Sequence, residues 1–316
     1  MCEILGVLPN WRPTFLHPCL TFASQFRLYF TVIREPANRG SIVRCRTIAI
    51  PALLSLVMVA CADVTAPESD AATGLNSLFI GHSFFRPIAE GMPWHAVEAG
   101  ILGHEQEVVF AGGENGAPLA LWNDAGKRLQ IQAVLDRGDV ELFGMTYAAT
   151  YPTTEGYERW IEYALQRNPD TRFFIGLPWS DFPEAVDAVT FADTWLAFHE
   201  GPWHELVDSV RALFPGVDIF CIPYGRSALE LRNLFESGDI ADIATLTGAA
   251  DEALFTDPKG HAGEILKALA RLVWLEAIYG VDLNTYDYDP GYSVDLRAIA
   301  QQIADEHDPR FDSAVR

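Results

Sequence analysis

The chain has 316 residues, 49% of them hydrophobic, and carries 22 basic against 43 acidic side chains for a net charge of −21. That length and apolar share suffice for one substantial core or at most two smaller ones. The acidity repels phosphate backbones and anionic bilayer surfaces, which argues against a nucleic-acid partner and against membrane binding by charge.

Residues 1–42 are rich in arginine, proline and aromatics and show no helical or strand period. The stretch is expected to be a mis-assigned N-terminal extension, with translation starting at Val43. Residues 43–60 read as a signal peptide: Arg44-Cys45-Arg46, then an apolar run of 14 residues from Thr47 to Ala60. That run is shorter than the ~20 residues a membrane-spanning helix needs. Met58-Val59-Ala60-Cys61 resembles a bacterial lipobox, which implies cleavage before Cys61, acylation of its thiol, and export to the cell envelope with the membrane engaged through the lipid alone. Residues 61–316 then hold 16 basic and 41 acidic side chains, a net of −25. Of the five cysteines, Cys221 is the one left with a free thiol in that mature chain, so an intramolecular disulfide is excluded there. Its apolar neighbours, Ile219-Phe220-Cys221-Ile222, mark it as a small buried hydrophobe. Residues 61–75 are mostly small and polar and read as the tether.

From Leu75 onward short apolar runs alternate with helical patterns. Strands are predicted at Leu78–Ile80, Val108–Phe110, Val140–Phe143, Phe173–Leu177 and Val217–Ile222. Between them Tyr157, Ile161 and Leu165 fall on one helical face, and Leu206, Val210 and Leu213 on another. Right-handed crossovers between such strands give a five-stranded parallel sheet covered on both sides, an α/β domain over residues 76–283. The strongest helical pattern, Ala262–Tyr279, is apolar nearly all round, as a well-buried helix would be. Residues 284–316 form a tail in which Val294, Leu296, Ile299 and Ile303 predict one more short helix packing back on the domain.

Gly81-His82-Ser83 directly follows the first buried strand. A glycine there lets the chain turn sharply and leaves the Ser83 hydroxyl at the carboxyl edge of the sheet, where ligands bind. Asp257 and His261 stand together before the final helix. A serine hydroxyl becomes nucleophilic when an imidazole accepts its proton, and a carboxylate that fixes the imidazole's tautomer completes the set. Phe79-Ile80-Gly81-His82-Ser83-Phe84 resembles the strand-Gly-X-Ser block of the SGNH (GDSL-like) hydrolases, and Asp257-Pro258-Lys259-Gly260-His261 resembles their Asp/His block with one extra residue. The resemblance spans roughly residues 76–281. It implies a flavodoxin-like three-layer α/β/α sandwich, catalysis by Ser83, His261 and Asp257, and no cofactor.

The resemblance also implies an oxyanion hole from the Ser83 amide, a glycine amide and an asparagine side chain. Gly113, in Ala111-Gly112-Gly113-Glu114-Asn115-Gly116, is the expected glycine. Where the family carries Gly-X-Asn, this chain has Gly144-Met145-Thr146, so the third donor falls to Asn115, Thr146 or Tyr147. Phe84, Trp122, Tyr147, Trp179 and Tyr224 are expected near strand ends as a surface for sugar rings, with core packing as the plain alternative, and Arg226 either meets a substrate carboxylate or pairs with surface acids. His199-Glu200 and His204-Glu205 suggest a metal pair, but histidines sharing a helix face need a spacing near four, and these are five apart across Gly201-Pro202. No metal site is expected. The reading that follows is a lipid-anchored esterase acting on a carbohydrate or similar small ester, with a catalytically inactive, glycan-binding scaffold as the alternative.

Overall fold

The computed structural model describes residues 73–314, and the expectations for the extension, the signal peptide, Cys61 and most of the tether lie outside them. The chain runs β1 (Asn76–Gly81), α1 (Arg86–Ala89), α2 (Met92–Glu98), β2 (Glu105–Phe110), α3 (Pro118–Asn123), α4 (Ala125–Leu135) and β3 (Leu142–Thr146). It continues through α5 (Glu155–Leu165), β4 (Arg172–Gly176), α6 (Ala188–Phe198), α7 (His204–Leu213), β5 (Ile219–Ile222) and α8 (Arg226–Ser237). β6 (Thr245–Thr247), β7 (Ala253–Phe255), α9 (Glu264–Tyr279) and α10 (Leu296–Asp305) complete it.

The main sheet has five strands in the order β2-β1-β3-β4-β5, every pair parallel. This is the three-layer α/β/α architecture expected from the alternating pattern. β3 is buried throughout, and so are β1 and β4 beyond their first residues, as strands covered on both faces must be. Successive side chains point to opposite faces. Phe174 thus meets Trp274 of α9 at 5.0 Å, with Phe79 of β1 also on that indole at 5.5 Å, while Phe173 packs with Phe143 toward Trp160 of α5. Such aromatic pairs add ~0.5–1.5 kcal/mol each beyond their buried area. β2 lies at an edge, and its exposed Glu105 and Glu107 discourage pairing with another chain.

The structure departs from the sequence reading at several points. β3 runs Leu142–Thr146 rather than Val140–Phe143, because its apolar run continues through Met145 and is paired with β4 along its whole length. A second, two-stranded parallel sheet, β6-β7, precedes the final helix and sets the start of the loop that carries Asp257. Leu213, expected on a buried face, is 48% exposed at the end of α7. In the tail, α10 buries Leu296, Ala300 and Ile303 against α9, and Arg297 donates to the Tyr286 carbonyl at 2.7 Å. Among the described residues no helix is long and apolar enough to cross a membrane.

Candidate active site

The order β2-β1-β3 reverses the chain's progress across the sheet at β1, and the crevice at such a switch point, beyond the carboxyl ends of the strands, is where ligands of open α/β sheets bind. Ser83 leaves β1 there. It does not cap α1: the residue at that cap is Phe85, and no side chain caps the helix. The Ser83 hydroxyl instead donates to His261 Nε2 at 2.8 Å, and His261 Nδ1–H donates to Asp257 Oδ2 at 2.6 Å. Both distances lie within the reach needed for proton transfer.

The loop that makes this possible is closed at its base. Thr256 N–H donates to the His261 carbonyl at 2.7 Å, and Phe255 bridges to Ala262. Asp257 Oδ1 accepts from the backbone N–H groups of Gly260 and His261 at 3.1 and 3.2 Å, which turns Oδ2 toward the ring. Between Asp257 and His261, Gly260 turns the chain with a φ of 102°, reserved for glycine, and a Cβ there would sit 2.9 Å from Pro183 Cδ. Burial acts to raise the Asp257 carboxyl, but the bonds from the His261 ring and the two amides outweigh it and hold the group below the ordinary carboxylate value. The anion that fixes the His261 tautomer is thereby secured.

His82, beside the serine, is tied elsewhere. Its Nε2 donates to the Tyr147 carbonyl at 3.0 Å, with the Thr146 hydroxyl at 3.2 Å, and its Nδ1 accepts from the Phe84 amide at 3.2 Å. Burial pushes its pKa down to about 4, partly opposed by the Tyr147 carbonyl, so the ring is a neutral strut at neutral pH. These bonds join the end of β1 to the end of β3. They also settle where Thr146 points: its hydroxyl donates to the Tyr147 carbonyl at 3.1 Å and faces His82 rather than an open crevice.

Gly113 opens a single 3-10 turn, Gly113–Gly116, with φ of 57°. That turn packs directly under the serine loop, since a Cβ on Gly116 would lie 2.5 Å from the Gly81 carbonyl. Asn115 is exposed on the same turn. A cation that sequence reasoning passed over, Lys259, reaches this place: its Nζ lies 3.6 Å from where a Cβ on Gly113 would be.

The aromatic residues are mostly structural. Phe84, Trp179 and Tyr224 are 3%, 2% and 0% exposed, so they offer no free face to a sugar. Phe84 stacks on Trp179 at 5.1 Å and meets the His261 ring edge-on at 5.2 Å, while the Trp179 indole donates to the Gly260 carbonyl at 2.7 Å. The pair therefore props the imidazole and its loop from below. Tyr224 packs beneath them against Trp179 and Trp274. Trp122 packs against Trp160 and Tyr163 of α5, within the helical layer. Tyr147 is buried against Trp203 and borders an open groove of about 470 Å³ that includes neither Ser83 nor His261. Arg226 pairs with Glu230 and Glu306 and is not held for a substrate. An aromatic that does keep an open face is Phe182, 56% exposed, whose N–H donates to the Lys259 carbonyl and whose φ of 55° is rare for a bulky residue.

His199 and His204 are brought together despite their spacing of five. α6 and α7 are joined by a widened turn, His199–Trp203, in which Gly201 leaves helical geometry, and the extra residue is taken up in that kink. The two rings lie 4.3 Å apart by centroids. The argument from helix faces, which kept them apart, holds for an unbroken α-helix and fails across this break.

No family model matches the sequence, and no curated protein matches it. Solved structures do. A DUF4886 family protein from Bacteroides uniformis superimposes with a TM-score of 0.50 at 17% identity, covering 73% of this chain and 93% of that one. A Clostridium thermocellum family 3 carbohydrate esterase gives 0.41 at 12% identity, over 72% of this chain and 99% of its own. A protein from Parabacteroides merdae assigned as a GDSL-like lipase gives 0.39 at 12%, over 66% and 98%. At 17% identity the first of these likenesses concerns the fold alone, and the chemistry rests on the residues above.

Proposed function

We propose that the protein is a serine esterase of the SGNH type that removes a small acyl group from a carbohydrate or similar ester, anchored through Cys61 at a bacterial cell envelope. The observation that carries this reading is the relay of hydrogen bonds from Ser83 through His261 to Asp257, at 2.8 and 2.6 Å, on the carboxyl edge of the sheet. Ser83 Oγ attacks the ester carbonyl as its proton passes to His261 Nε2. His261 then protonates the departing alcohol, and a water activated by the same ring releases the acid. Asp257 holds the ring in the tautomer that leaves Nε2 free to accept.

The negative charge on the tetrahedral intermediate is assigned to the amides of Ser83 and Gly113. The Lys259 ammonium, beside Gly113, takes the place of the absent asparagine. Phe182 is the residue assigned to contact the substrate beyond the reacting ester. Replacement Ser83→Ala is expected to lower kcat for hydrolysis of a simple acetyl ester by at least ~10³-fold with the fold intact, and unchanged turnover contradicts the reading.

A second reading, a glycan-binding protein that has lost catalysis, is favoured by the engagement of the Thr146 hydroxyl with Tyr147 and His82 where the family places an asparagine. Binding of acetylated glycans at equal affinity by the native chain and Ser83→Ala, with no turnover by either, would select it.

A further inference from the structure

The histidine pair at the α6–α7 kink has a third member. His307, from the turn after α10, lies 5.7 Å from the His199 ring and 6.1 Å from the His204 ring by centroids. Each of the three is 8% exposed, and one potential ligand atom from each lies within 4.8 Å of the others. His199 Nε2 and His204 Nε2 are buried with no hydrogen-bond partner, whereas nearly all buried polar atoms of native proteins have one. The ring faces are taken: His199 stacks on Trp195 at 4.7 Å and His204 on Phe311 at 3.7 Å. What remains free on each is the nitrogen-bearing edge.

His307 differs in an informative way. Its Nδ1–H donates to Asp312 at 2.9 Å, the carboxylate-to-imidazole contact that orients metal-bound histidines and leaves Nε2 as the ligand atom. That Nε2 accepts a weak hydrogen bond from the buried thiol of Cys221, 3.5 Å away near the end of β5, and the thiol would have to give up this proton to act as a donor to an ion. Zinc takes nitrogen at ~2.0–2.1 Å and thiolate sulfur at ~2.3 Å in a tetrahedron, which places neighbouring N and S ligands ~3.5 Å apart and paired nitrogens ~3.4 Å apart. The histidine nitrogens, now up to 4.8 Å apart, would have to close on the ion by a modest rotation of the rings.

We propose that His199, His204 and His307 bind a divalent transition-metal ion, zinc by the chemistry of the donors, in a buried site with Cys221 beside the fourth position. Three imidazoles from two distant stretches of chain would then be joined by one ion. It would fasten the segment after α10 to the kink between α6 and α7. The burial of every donor makes the role structural rather than hydrolytic, and the site stands independently of the Ser83 chemistry.

The test is metal content of the full chain, purified without chelators, incubated with zinc and passed through a desalting column. One zinc retained per chain, reduced to background in His204→Gln and in His307→Gln, is the expected result. The variants also separate this site from chance binding by the cysteines before residue 62. Because either variant could unfold, the native chain is also stripped with a chelator and melted with and without added zinc. A rise in Tm on zinc addition is expected, and cobalt in its place should give the visible absorption of a tetrahedral site. No retained zinc and no change in Tm, or retention equal in native and folded variant chains, would overturn the proposal.

Discussion

Two histidine-centred clusters in this molecule are built on opposite plans. At the carboxyl edge of the sheet, His261 has a partner on each nitrogen and is 34% exposed by its side chain, open to whatever enters the crevice. At the α6–α7 kink, His199 and His204 are buried with a nitrogen each left over. A group whose bonds are complete within the protein and which still meets solvent is set up to exchange a proton with a ligand. Groups that are sealed in and unsatisfied call for something from outside to complete them. On the two proposals made above, the same residue type serves a reaction site in one place and a binding site for an ion in the other.

The contrast can be broken first at Asp257. Asp257→Asn keeps the shape but offers the His261 ring an amide in place of an anion, so the wrong tautomer becomes accessible. kcat for an acetyl ester should fall by roughly 10²–10⁴-fold with little change in KM, as measured by steady-state kinetics. A loss below tenfold would mean that the carboxylate serves the loop alone, through its bonds to Gly260 and His261.

Lys259→Met comes next. It removes a charge from the crevice without touching the relay, and the expected loss in kcat is about 10- to 100-fold, below that of a buried oxyanion donor. Tm should be unaltered, and Lys259→Arg should restore part of the rate. If Lys259→Met changes KM and leaves kcat untouched, the ammonium contacts substrate in the ground state rather than the developing oxyanion.

The smallest effect concerns two buried histidines that take no part in the Ser83 relay or in the cluster at the kink. Burial holds His82 and His95 at about 4 against an ordinary 6.5. Below 6.5 the unfolded chain takes up protons on these rings while the folded chain does not, until about 4 is reached. Stability from this source is therefore complete above that window and lost progressively as the pH falls through it. Thermal melts across the window should show Tm dropping toward acid, with a shallower slope in His95→Gln. A slope unaltered by that replacement would assign the acid sensitivity to other groups.

Much of this was legible in the residues themselves. The five strands are short apolar runs separated by helical periods, and their parallel order follows because each crossover needs a helix. Ser83, Asp257 and His261 could be read because glycine punctuates both blocks and because the Asp/His pair stands immediately before an unmistakable buried helix. What could not be read depends on contacts between distant stretches. Phe84 and Trp179 look like a sugar platform until they are seen stacked on each other under His261. His307 lies 103 residues beyond His204, and no spacing rule links them. The pairing of His199 with His204 depends on how the chain bends at Gly201, where it leaves helical geometry, and no periodicity rule reports that bend. Lys259 gave a usable signal, a lone cation inside the Asp/His block of a strongly acidic chain.

The central claim is that Ser83 is activated by His261, and it is met most directly by treating the full chain with a fluorophosphonate probe and locating the adduct by peptide mass spectrometry. The account predicts a single adduct at Ser83 that disappears in His261→Ala and is slowed in Asp257→Asn. An unlabelled native chain, or labelling of Ser83 that persists at the same rate without His261, would contradict it.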